Sequence, residues 1–73
     1  MNICIGGCWH GNQPLKKQKS TYFIVKDKTS GKITLYERFF IWFVGEKHTF
    51  WVADSLGHLE AQEKIMFYLN QIE

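Results

Sequence analysis

The sequence predicts an α+β domain: a small antiparallel sheet of three to four strands with one C-terminal helix packed on one face, ordered β-β-β-α. Three observations predict it. Thr21 to Lys26 and Lys32 to Ala53 are rich in the β-branched and aromatic residues that suit a pleated surface. Turn residues at Lys28-Thr29-Ser30-Gly31 and Gly45-Glu46 divide these runs at hairpin spacing. Beyond them the period changes, and Ala61, Ile65, Tyr68, Leu69 and Ile72 fall on one arc about 100° wide, as on a core-facing helix.

Each element has a local reason. Asn2 to Ile5 suits a short extra strand with Ile3 and Ile5 on one side, and Gly6, Gly7, Gly11, Asn12 and Pro14 follow as loop. Lys16, Lys17 and Lys19 make a basic run into the first good strand, TYFIVK. Lys32 to Val44 is long for one strand, so a bend or bulge is expected near Glu37-Arg38. Gly45-Glu46 suits a type II′ turn, and His48 to Ala53 returns as the third strand of the meander. Asp54 and Ser55 offer N-caps for the helix.

All 73 residues form a single domain: 1–19 a Gly/Cys-rich segment and basic loop, 20–53 the β-meander, 54–72 the helix. With 45% hydrophobic and 16% aromatic residues, the composition excludes a disordered chain. The formal charge of +2 does not by itself imply nucleic acid. The start MNICIGG lacks the basic and apolar regions of a signal peptide. The apolar run Phe39 to Val44 falls far short of the roughly 20 residues that span a bilayer. Two cysteines four apart are no disulfide framework, so a reduced, cytoplasmic setting is expected.

More than half of the aromatic residues lie between Tyr36 and Trp51, and the strand period sends them to both faces. Pairing across Gly45-Glu46 sets Phe43 against His48, Ile41 against Phe50 and Phe39 against Val52. This aliphatic face is assigned to the helix. The other face carries Tyr36, Arg38, Phe40, Trp42 and Trp51, whose polar handles suit contact with a partner. Three occupants compete for it. Met1 to Pro14 folds back with Ile3, Ile5 and Trp9 as a lid; or a protein, a second copy included, docks there; or nucleic-acid bases stack on the aromatics beside Lys16, Lys17, Lys19 and Arg38.

Chemistry-bearing residues are few. Cys4, Cys8 and His10 are metal-ligand types in a Gly-rich loop, but a zinc site needs a second ligand pair, and His48 and His58 stand singly on regular elements. No metal, cofactor or small-molecule substrate is expected, and the protein is read as no enzyme. Glu60 and Glu63 near the helix start suit the dipole rather than acid/base work. From Ser20 to Ile72 the order of elements resembles the small three-stranded-sheet-plus-helix DNA-binding domains of the integrase N-terminal type, with the Asp-Ser helix start. That resemblance implies DNA read through a sheet face rich in Arg and Trp, whereas Arg38 is the only arginine here. The expected function is non-enzymatic protein binding through the aromatic sheet face, as in a stoichiometric inhibitor or adaptor of phage or mobile-element type. A small DNA- or RNA-binding domain is the alternative.

Overall fold

The computed structural model describes residues 1–14 and 20–71. It is an α+β fold: strands β1 (Asn2–Ile5), β2 (Tyr22–Lys26), β3 (Ile33–Phe43) and β4 (Glu46–Ala53), then helix α1 (His58–Leu69). The strands make one sheet in the order β1-β4-β3-β2. β2, β3 and β4 form the expected antiparallel meander, whereas β1 runs parallel to β4, so the sheet is mixed rather than antiparallel.

The β3–β4 hairpin turns on Val44-Gly45, not Gly45-Glu46. Both tip residues have positive φ, 52° and 75°, the backbone of a type I′ turn that matches strand twist. Phe43 therefore faces Glu46, Ile41 faces His48, and Phe39 faces Phe50. Register moves by two residues, and a shift of two leaves every side chain on its assigned face. β3 also runs unbroken through Glu37-Arg38: its first half pairs with β2 and its second half with β4, so no bulge is needed.

The helix starts later than Asp54-Ser55. Asp54 continues the sheet ladder, its N–H donating to the Leu35 carbonyl at 2.8 Å, and Gly57 takes the N-cap without a side-chain bond. Asn70 closes the far end; Ile72 lies outside the described residues.

Two apolar clusters lie on opposite faces of the sheet. Ile65 and Leu69 of α1 meet Ile5 and Phe50, with Ile3, Ile41, Phe43, Val52 and Tyr68 at the margin. On the other face Cys4, Val25, Tyr36, Trp51 and Ala53 pack together under Trp9 and Phe23. Ile3 and Ile5 are thus not lid residues, because β1 joins the sheet and aims them at the helix. His48 is buried on the helix side. Its Nε2–H donates to the Phe43 carbonyl and its Nδ1 accepts from the Met1 amino group, both at 3.2 Å.

Candidate interaction surface

The aromatic face is sealed at its centre by the chain itself. The Tyr36 hydroxyl donates to the Gly6 carbonyl at 2.7 Å and accepts the Trp9 N–H at 3.0 Å, pinning the 6–12 loop over the sheet. Gly7, at φ +66°, allows this approach: a Cβ there would lie 2.5 Å from that hydroxyl. Trp9 packs on Phe23 with centroids 5.8 Å apart, and Phe23 stacks on Tyr36 at 5.2 Å. The Trp51 indole N–H donates to the Asn2 side-chain oxygen at 2.7 Å, so its one polar atom is satisfied inside. Burial pushes the Tyr36 hydroxyl pKa up, which keeps it a donor.

Tyr36 and Trp51 are therefore core residues, 0% and 2% exposed, and not part of an open face. The other three residues of that sequence-assigned set remain accessible beyond the lid. Trp42 is 73% exposed, Phe40 is about half exposed, and Arg38 is half-buried. The Arg38 guanidinium and the Lys47 ammonium lie 4.6 and 4.3 Å from the centre of the Phe40 ring. Lys16, Lys17 and Lys19 fall outside the described residues.

The Cys4-Cys8-His10 loop does not gather its side chains. Cys4 is buried in the sheet cluster, Cys8 is exposed, and the His10 Nδ1 accepts the Gly6 N–H at 2.8 Å. Burial, reinforced by the nearby Cys8, pushes the Cys4 thiol up to about 11, so it stays protonated at neutral pH. Among the described residues, no three of His, Cys, Asp and Glu are placed to share a metal ion.

The open surface lies on the face that the sequence gives to the helix. Helix α1 packs on the β1–β4 side of the sheet and leaves β3 open around Phe39, with a groove of about 540 Å³ between them. Phe39, Ile41 and Val52 form its floor, Ile65, Met66 and Leu69 its helix wall, and Glu37, Asp54, His58 and Gln62 contribute the polar part. Phe39 remains 49% and Met66 43% exposed. Ile24 of β2 and Ile33 of β3 continue the same face and are exposed as well.

The reason is width. Four strands about 4.8 Å apart make a sheet roughly 19 Å across, while one helix with its side chains covers about 10–12 Å. A single helix cannot close this face. The signal was available in the sequence once four strands, rather than three, are counted against one helix.

No protein-family model, no curated protein and no solved structure matches this chain. No helix among the described residues is long and apolar enough to cross a membrane.

Proposed function

We propose that this chain is a non-enzymatic binding module for protein, and that its docking surface is the groove between α1 and β3. One observation carries the reading: the chain exposes more surface, and more apolar surface in one place, than its mass requires. Its accessible area is 5427 Å². A compact monomer of 8.6 kDa is expected to show about 4,700 Å². Phe39, Ile41, Ile65 and Met66 line one trough, which is the arrangement that marks an interaction site rather than scattered exposure.

An amphipathic segment laid beside α1 would cover more of the uncovered half of this face. Glu37 and Asp54 at the rim favour a partner with basic residues flanking its apolar anchors. The non-enzymatic reading is supported by the inert placement of the candidate groups: a buried, protonated Cys4 and a His10 whose Nδ1 is already bonded.

The test compares wild type with Phe39→Ser and Met66→Ser in binding to a purified partner. Each variant should melt close to wild type and weaken binding by about 2 kcal/mol, the scale of an interface hot spot. Undiminished binding by both variants would exclude the groove.

A second reading rests on a different observation, the Arg38–Phe40–Lys47 cluster beside exposed Trp42. Aromatics flanked by cations suit stacking of single-stranded nucleic acid. That binding should fall steeply with salt, because each neutralised phosphate releases counterion. A Trp42→Ala protein that binds an oligonucleotide as wild type does would remove this reading.

A further inference from the structure

The two edges of the sheet are treated differently. At the β1 edge the outward amide of Cys4 is closed by the chain's own loop: its N–H donates to the Asn12 carbonyl at 2.8 Å and its carbonyl accepts the Gly11 N–H at 2.9 Å. Among the described residues, no strand covers the outer side of β2.

The direction of the β2 backbone groups follows from the ladder. The Asp27 N–H donates to the Lys32 carbonyl and the Arg38 N–H to the Thr21 carbonyl, both at 2.8 Å, so odd-numbered residues of this strand bond inward to β3. In an antiparallel pair the alternate residues aim their N–H and C=O groups the other way. Those residues are Tyr22, Ile24 and Lys26. Edge strands are ordinarily blunted by proline, bulges or several charges. β2 has no proline, keeps a regular register with β3, and carries only Lys26. Ile24, at its centre, is 61% exposed.

We propose that β2 is a self-association edge, at which a second copy of this chain pairs antiparallel about a two-fold axis through Ile24. The occupant is fixed by self-complementarity. This register uses the whole strand: Ile24 meets the partner's Ile24, Tyr22 meets the partner's Lys26, and Phe23 meets the partner's Val25. Because the outward-aimed residues face each other, about six inter-strand hydrogen bonds form. No like charges stand directly opposite, and each Lys26 ammonium lies within reach of the partner's Tyr22 ring. The interface is isologous, so it closes on a dimer instead of growing into a fibre. The pair forms one eight-stranded sheet on which the two α1–β3 grooves face the same side. This inference concerns an edge separate from the groove and stands or falls independently of it.

Light scattering on size-exclusion fractions of the wild-type chain tests it, over a dilution series from about 100 µM. The expected mass is twice 8.6 kDa at the concentrated end. Ile24→Pro is the decisive variant. The Ile24 N–H takes no part in the β2–β3 ladder, so proline there spares the monomer and removes a donor from the dimer. Ile24→Lys is the second variant, because it sets two like charges opposite each other while leaving every backbone donor in place. Both should weaken the dimer at least about thirtyfold, the equivalent of one interface hot spot. Phe39→Ser, in the groove, should leave the mass at the dimer value. A wild-type monomer at 100 µM would overturn the proposal. So would a dimer that survives Ile24→Pro and Ile24→Lys, or one that dissociates on Phe39→Ser alone.

Discussion

The two faces of this sheet are covered in different ways. The face with the polar handles, Tyr36 and Trp51, is sealed at its centre and open at Phe40 and Trp42; the mostly aliphatic face is half open. Polar handles do not by themselves send a side chain to the surface. A tyrosine hydroxyl that meets a loop carbonyl and a loop N–H binds that loop down, and the loop then brings an indole with it. Hydrocarbon has no such means of recruiting its own cover. Its closure depends on the width of the element available, and one helix is too narrow for four strands.

The comparison breaks most sharply at the tryptophans. Trp51→Ala, under the lid, should cost about 3–5 kcal/mol in urea unfolding. Trp42→Ala, on the same face but beyond the lid, should stay within about 0.5 kcal/mol. Equal losses would mean that the aromatic face is not divided. The helix shows the same contrast on a smaller scale. Leu69→Ala should cost about 2–5 kcal/mol, whereas Met66→Ala, on the open wall of the groove, should cost well under 1 kcal/mol. Tyr36→Phe removes one oxygen and leaves the Gly6 carbonyl and the Trp9 N–H without it, a loss of about 1–3 kcal/mol.

Thiol chemistry sharpens the boundary of the lid without changing stability. Cys8 should react with a thiol reagent in the native protein. Cys4, buried and with its pKa pushed up to about 11, should react only as the chain unfolds. Two equally fast thiols would mean that the loop does not stay closed. The smallest effect is expected far from both faces, at the β2–β3 turn. The Thr29 N–H, followed by the Ser30 hydroxyl, holds the Asp27 carboxyl below its usual range. The folded value lies below the unfolded one, about 3.9. The resulting stabilisation is therefore complete above that pH and is lost as pH falls through the folded value. Asp27→Asn should remove this small acid-dependent component from the melting curve. An unchanged pH profile would show that the turn contributes none of it.

Much of this was legible in the sequence. β-propensity located three strands, and the helical stripe of Ala61, Ile65 and Leu69 is the buried seam of α1. The assignment of side chains to faces was insensitive to the two-residue error in register, since only odd shifts exchange faces. What misled was local. Val44, a β-branched residue, takes a positive φ that sequence rules assign to Gly, Asn or Asp, so those rules place the hairpin tip one residue late. Asp54 looked like a helix cap because the chain alone does not show that the sheet ladder extends to claim it. The parallel docking of β1 depends on a partner nearly fifty residues away, which no local pattern encodes. Residue type alone points Tyr36 and Trp51 toward a partner, while their burial depends on where the 6–12 loop lies.

The most direct test of the open groove is solvent paramagnetic relaxation of the methyl groups in the free protein, using a soluble probe. The methyls of Ile5, Ile65 and Leu69 should be protected, because they lie in the seam between α1 and the sheet. Those of Met66 and Ile33 should relax strongly, because they stand on the uncovered half of the same face. Protection of Met66 and Ile33 equal to that of Ile65 would show that the face is closed and would contradict the account.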